Sequence, residues 1–237
     1  MTRRRWIADE FVGDRAALTG AHATHLSRVL RVQVGQDFDV ACGDSVRLGT
    51  VASVADERVE FVLGEEVAAG VSAPITLLLA VFKFDRMEWA IEKCTELNVT
   101  SIVPVIARRT EKHLALAAKN RVERWRRIAR EAAQQSRRVA VPAIQGPVKL
   151  AEGINVAAEL RIVLAETEKE AQLSDVLRDR EGASSVALAI GPEGGWTEEE
   201  LQLFEKAGWI SASLGATILR AETAAIAALA MARAEMS

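Results

Sequence analysis

Two segments of this chain carry residue types and spacings that can do chemistry: Ile190-Gly-Pro-Glu-Gly-Gly195 and Leu214-Gly-Ala-Thr-Ile-Leu-Arg-Ala-Glu-Thr-Ala224. Each follows an apolar run that reads as a buried strand, Val186 to Ile190 and Ile210 to Leu214, and each leads into a helical pattern. In open α/β sheets ligands bind beyond the carboxyl ends of strands, at turns of this kind. The first turn, Gly191, Pro192, Glu193, Gly194 and Gly195, presents mainly backbone N–H and C=O groups to whatever binds there. Gly194 is expected to need positive φ or a close approach to the ligand. The turn is neither the dinucleotide fingerprint nor a phosphate loop with its lysine. Thr197 with Glu200 three residues on fits a capping box before Leu201 and Phe204, with a stop at Gly208. Taken alone, the first segment is therefore also explained as a tight strand-to-helix turn.

Combined at this spacing, the two segments resemble the SPOUT class of RNA methyltransferases, and within it the ribosomal RNA small subunit methyltransferase E family, which acts on uridine N3. Further matches run in the family's order over nearly the whole chain: His25-Leu-Ser-Arg-Val-Leu-Arg31, Lys83 with Glu88, Lys93-Cys-Thr-Glu-Leu-Asn-Val99, and Arg130-Glu-Ala-Ala-Gln-Gln-Ser-Arg137 with Pro142. Asn98 stands where the family usually has glycine, and Trp196 where phenylalanine or leucine is common. Asn is the usual second choice at a left-handed helix cap, and Trp keeps a large apolar side chain in place.

The resemblance implies S-adenosylmethionine as cofactor, held by backbone amides and small residues at three successive strand ends. The expected contacts are Leu164, Ala165 and Glu166; Ile190 with the glycine turn; and Leu214, Gly215, Ile218, Leu219, Thr223 and Ala224. Ile218 and Leu219 are expected to sandwich the adenine. No metal is expected, since His22, His25 and His113 lack ligand spacing. Methyl transfer to uracil N3 requires the imide to lose its proton, by a nearby base or by cations that stabilise the anion. Arg220 and Glu222 flank the second turn, one of each charge. They fit a structural Arg–Glu pair, or a catalytic pair in which Arg220 stabilises the anion and Glu222 orients it. The resemblance further implies a C-terminal trefoil knot, a homodimer, and small-subunit rRNA, within the 30S subunit, as partner. A SPOUT enzyme acting on ribose 2′-OH and a non-catalytic RNA-binding protein remain as other readings.

The formal net charge of −3 argues against a polyanion partner, but its distribution argues for one. From Arg108 to Arg138 eleven basic residues face three glutamates, a local +8, so the other residues carry −11. A basic patch on an acidic protein steers a polyanion to one face. The pairs Arg108-Arg109 and Arg137-Arg138 bracket a basic helix and are candidate phosphate contacts. Arg3, Arg4, His25, Arg28 and Arg31 are the N-terminal candidates.

Two domains position these residues. Residues 1–72 alternate short strand patterns (Phe38 to Val40, Val46 to Val54, Arg58 to Val62) with turns, as in a small antiparallel barrel. One helix, with His22, Leu26, Val29 and Leu30 at helical intervals, interrupts it. By resemblance this is a PUA-like RNA-binding barrel. Residues 73–237 alternate strands with helices, the grammar of a mostly parallel sheet covered on both faces. Ile75 to Phe82 reads as a strand, Asp85 as a helix cap with Glu88 at N3, and Met87, Ala90, Ile91, Cys94 and Leu97 as a buried stripe. Strands at Ser101 to Ile106 and Arg161 to Ala165, a basic helix from Arg121 to Gln135 and a final Ala-rich helix from Glu222 to Ala234 complete the pattern.

With 237 residues, 49% of them hydrophobic, the chain can bury one large or two modest cores. Arg3-Arg-Arg5 has no apolar segment behind it, and no stretch is long enough to span a bilayer, so a cytoplasmic protein is expected. Cys42 and Cys94 read as inert buried thiols in a reducing compartment.

Overall fold

A computed structural model describes residues 4–43, 45–67, 73–180 and 182–236. The chain divides into two compact units, Met1–Val71 with Ala133–Val141 and Ser72–Ala132 with Pro142–Ser237.

In the first unit, strands β1 (Arg5–Ile7), β2 (Glu10–Val12), β3 (Arg15–Thr19), β4 (Asp37–Cys42), β5 (Ser45–Ala55) and β6 (Arg58–Val67) form one sheet in the order β1-β4-β5-β6-β3-β2. All pairings are antiparallel except β1 beside β4. The sheet curls, helped by register shifts in the β5–β6 pairing between Arg47 and Gly49 and between Val51 and Ser53. A Cβ at Gly49 would stand 2.3 Å from Val40 Cγ2, so only glycine lets the strands approach there. Among the described residues β1 and β2 are the two ends of the sheet, where the sequence suggested a barrel. The interrupting helix is short: α1 (Gly20–Thr24) runs into a π-helical turn, His25–Val29. Leu26 is buried but Val29 is 65% exposed, because the wider turn rotates it off the packed face. Residues 133–141, remote in sequence, belong to this unit through contacts such as Arg5 Nη1 donating to Arg137 O at 2.9 Å.

In the second unit, β7 (Ile75–Ala80), β8 (Ser101–Ile106), β9 (Ala143–Ile144), β10 (Val148–Lys149), β11 (Leu160–Leu164), β12 (Val186–Ile190) and β13 (Ile210–Ala212) pair in parallel throughout. The order is β10-β8-β7-β12-β11-β13, with β9 also on β8. Every residue of β12 is buried, as a strand covered on both faces requires. The helices are α2 (Phe84–Glu96), α3 (Lys112–Ala117), α4 (Val122–Gln135), α5 (Leu150–Gly153), α6 (Leu173–Arg178), α7 (Glu198–Lys206) and α8 (Ala221–Glu235).

Helix α2 buries Met87, Ala90, Ile91 and Cys94, while Leu97 is only half-buried. Its cap is Lys83, not Asp85, and Glu88 makes no capping box. The Glu88 carboxylate instead takes two bonds from the Arg124 guanidinium, at 2.7 and 2.8 Å, a stronger charge-assisted pairing than a cap would supply. Asn98, at φ 65°, closes α2 in the left-handed conformation, with Val99 N donating to Cys94 O at 3.0 Å. In α7 the capping box of Thr197 and Glu200 is present, and Gly208 at φ 77° ends the helix. Phe204 of α7 lies edge-on to Trp196 at 5.0 Å and to Trp209 at 5.1 Å, a cluster that seats the helix beside the carboxyl end of β12.

Candidate active site at the ends of three parallel strands

A cavity of about 370 Å³ opens beyond the carboxyl ends of β11, β12 and β13. Its walls are residues 164–167, 190–196 and 212–221, with Arg86, Arg109, Leu201 and Ala224. Adjacent parallel strands end together, so three turns far apart in sequence are brought to one rim. The volume is in the range of small-molecule sites.

The glycine turn is held from behind. Arg109 Nη1 donates to Gly194 O and, at 3.3 Å, to Trp196 O. The neighbouring Arg108 N donates to Glu200 Oε1 at 2.7 Å, while Glu200 Oε2 accepts from Thr197 N at 2.9 Å. One buried carboxylate thus caps α7 and fixes the Arg108-Arg109 turn. Trp196 Nε1 donates to Leu164 O at 3.2 Å, tying the glycine turn to the end of β11, and its ring would lie 3.3 Å from a Cβ on Gly191. Positive φ falls on Gly195, at 70°, and not on Gly194, where a Cβ would meet only the Arg109 side chain, at 3.3 Å. In the third turn Ser213 Oγ accepts from Gly215 N at 3.2 Å, and Gly215 has φ 113°.

Leu164, Ala165, Glu166, Ile190, the glycine turn, Leu214, Gly215, Ile218, Leu219, Arg220 and Ala224 all line the cavity. Glu222 and Thr223 do not. Ile218 is 78% exposed on the cavity rim, and Leu219 beside it is half-buried. Arg220 is exposed and does not pair with Glu222. Glu222 is buried, and its Oε1 lies 3.7 Å from Arg86 Nη1. Glu222 sits in the first turn of α8, and its carboxylate faces Arg86 of α2. Glu166 and Glu193 add negative charge to the cavity rim, against Arg86, Arg109 and Arg220. Among the described residues there is no group of three or more His, Cys, Asp or Glu placed to hold a metal ion.

Residues 70–233 match the RNA methyltransferase domain family. A ribosomal RNA small subunit methyltransferase E from Synechocystis is 33% identical over 229 residues, covering 94% of this chain and 74% of the relative. The chain belongs to the ribosomal RNA small subunit methyltransferase E family. The Bacillus subtilis member is 30% identical over 223 residues, 90% of this chain and 87% of that protein. A crystal structure of the Neisseria gonorrhoeae member, bound to S-adenosyl methionine, superposes with a TM-score of 0.82 at 28% identity, covering 96% of this chain and 95% of that one.

For a member of this methyltransferase family, the residues that sequence reasoning missed in the cavity are chiefly Arg86 and Ser213. Arg86 sits between the motif residues Lys83 and Glu88, but no spacing marks it; Ser213 follows β13 and looks like a plain strand residue. The basic candidates fare unevenly. Arg3 lies outside the described residues. Arg4, His25, Arg28 and Arg31 are exposed, but Arg28 is paired with Asp56 at 2.8 Å, which holds the Asp56 carboxyl below its usual range. Arg31 has φ 51°. Arg109 supports the glycine turn with its guanidinium, while Arg137 is exposed and Arg138 half-buried. On the basic helix, Arg124 faces Glu88, Arg126 faces Glu123 at 2.6 Å and Arg127 faces Glu131 at 3.9 Å, so much of its charge is matched locally.

Proposed function

We propose that the chain is an S-adenosylmethionine-dependent methyltransferase acting on N3 of a uridine in small-subunit ribosomal RNA. The observation that supports the cofactor in this reading is the cavity at three strand ends, lined largely by backbone and small residues, while the uridine N3 rests on the family resemblance. Such a wall suits an adenine, a ribose and a sulfonium, with Glu166 and Glu193 as counter-charges to the cation. The residues that would hold the cofactor are 164–166, 190–195, 214–219 and Ala224. When bound, the cofactor supplies an electrophilic methyl group.

The chain's own residues do the rest. Arg220 holds the uracil or its phosphate and stabilises the imide anion, a role supported by its exposure on the cavity wall. Fixing donor and acceptor in line contributes ~7–11 kcal/mol, and with the anion stabilised by Arg220 the N3 proton passes to water, so a strong dedicated base is not required. Glu222 acts from beneath, through the start of α8. N3 lies on the pairing edge, so the target uridine must be unpaired or flipped out. The first unit serves as a PUA-like RNA-binding domain, with Arg4, His25, Arg31 and the Arg137-Arg138 pair toward the RNA. A C-terminal knot is supported by the return of α8, which starts beyond the edge strand β13 yet packs on α2, β7 and β12. Its alanines suit close packing against a second copy in a cytoplasmic homodimer acting on the 30S subunit.

Calorimetry with S-adenosylmethionine, followed by nucleoside mass spectrometry of methylated small-subunit RNA and assembled subunits, tests the reading. Heat on cofactor binding and 3-methyluridine in the product are expected. A 2′-O-methyl product would move the activity to ribose, and no heat at all would leave an RNA-binding protein.

A further inference from the structure

Arg86 is a cation in the first turn of α2, where the helix dipole disfavours positive charge, so its placement has to be explained by what it faces. Its Nη1 lies 3.4 Å from Glu193 Oε1 and 3.7 Å from Glu222 Oε1. Glu193 belongs to the glycine turn after β12; Glu222 belongs to the first turn of α8. Among the described residues it is the one side chain that makes ion pairs with both segments. The two contacts differ in kind. Arg86 and Glu193 are each 32% exposed at the side chain, so their pairing is screened by water, whereas Glu222 is 6% exposed and its Oε2 has no hydrogen-bond partner. A buried carboxylate depends on its counter-charge, and here that charge is Arg86.

We propose that Arg86 is a positioning residue, bridging Glu193 and Glu222 so that the cofactor wall and the Arg220 end of α8 are held in register. The glycine turn has little side-chain bulk of its own, and Arg109 anchors only its far end, at Gly194 and Trp196. Arg86 ties Glu193, in the middle of the turn, to the first turn of α8, which Arg220 caps. In-line transfer is sensitive to small misplacements of donor and acceptor, so loss of the bridge falls on rate at saturation. This inference rests on the methyl-transfer reading for the roles of the two walls, though the bridge itself does not.

The test compares Arg86→Gln, Arg86→Lys, Glu222→Gln and the double variant Arg86→Gln with Glu222→Gln. Single-turnover methylation at saturating cofactor and RNA, cofactor affinity by calorimetry and denaturant unfolding are read on each. Arg86→Gln and Glu222→Gln should each slow the saturated rate about tenfold or more, an effect expected when reacting groups are misplaced. The double variant should be no slower than the slower single, since both remove one shared interaction. Arg86→Lys should recover most of the rate, because one nitrogen makes both contacts. Additive losses, or an Arg86→Gln rate within threefold of the parent while only its stability falls, would overturn the bridge. If the parent neither bound S-adenosylmethionine nor methylated RNA, the functional reading would fall alone. The unfolding cycle would still decide the bridge: coupling between positions 86 and 222 upholds it, and additivity refutes it.

Discussion

At the residue scale, the conformational demand of the glycine turn falls on Gly195 and not on Gly194. Gly195 has φ 70°, which a β-branched residue tolerates poorly, while Gly194 has ordinary φ and only the flexible Arg109 side chain near its missing Cβ. Gly195→Val is therefore expected to strain the turn by ~1–2 kcal/mol and, because the free turn relieves that strain by leaving the binding conformation, to weaken S-adenosylmethionine binding by up to about tenfold, with Gly194→Ala much closer to the parent. Calorimetry on the folded variants checks it; equal effects at both positions would remove backbone conformation as the cause. Arg220→Ala is expected to cut single-turnover rate by ~10²–10³ with smaller changes in either affinity, as for loss of one donor to a developing anion. A rate near the parent's would return Arg220 to the surface. Cys94 is fully buried on α2, and burial pushes its thiol up to about 12. At neutral pH it should resist alkylation until the protein unfolds, a contrast readable by mass spectrometry with and without denaturant.

At the element scale, α7 was legible in the sequence almost residue by residue, because its start and stop are set by local hydrogen bonds. Thr197 and Glu200 close the capping box and Gly208 takes positive φ. Helix α2 was legible in its apolar stripe but not in its cap: Glu88 is claimed by Arg124, 36 residues away, which no local pattern records. The same distinction gives a prediction. Thr197→Ala removes one cap and should cost ~1 kcal/mol. Glu200→Ala should cost more, since it leaves the part-buried Thr197 N and Arg108 N both without their acceptor, each worth roughly 1 kcal/mol. It should also lower cofactor affinity, because the Arg108-Arg109 turn supports the glycine turn. Denaturant unfolding and calorimetry on the two variants measure both; equal costs would mean that the Arg108 bond contributes nothing.

At the scale of the whole molecule, the local +8 between Arg108 and Arg138 within a chain of net −3 is less free than its count suggests. Arg124, Arg126 and Arg127 have carboxylate partners, and Arg109 is bound to the glycine turn. Exposed Arg137, at the end of α4 with φ 56°, is a better placed cation. Replacing Arg137 and Arg138 by Ala should make the plot of log RNA affinity against log salt shallower by roughly 0.7–0.9 for each phosphate that is no longer neutralised, with cofactor affinity unaltered. An unchanged slope would leave the pair as part of a solvated face. Residues 133–141 group with the curled sheet, a division that composition along the chain does not mark.

What the sequence determined by itself was whatever is encoded locally. Continuous apolar runs made parallel strands, periodic apolar positions made helices, and glycines and capping residues marked the turns that line the cavity. Asn98 as a left-handed cap belongs to the same class. The tertiary structure decided the partners. Glu222 faces Arg86 and not its near neighbour Arg220, Glu200 reaches Arg108, and Trp196 reaches Leu164. Each of these pairs joins residues brought together only when strands distant in sequence end side by side. Which charge a side chain meets at such a rim depends on strand order, and no spacing along the chain encodes strand order.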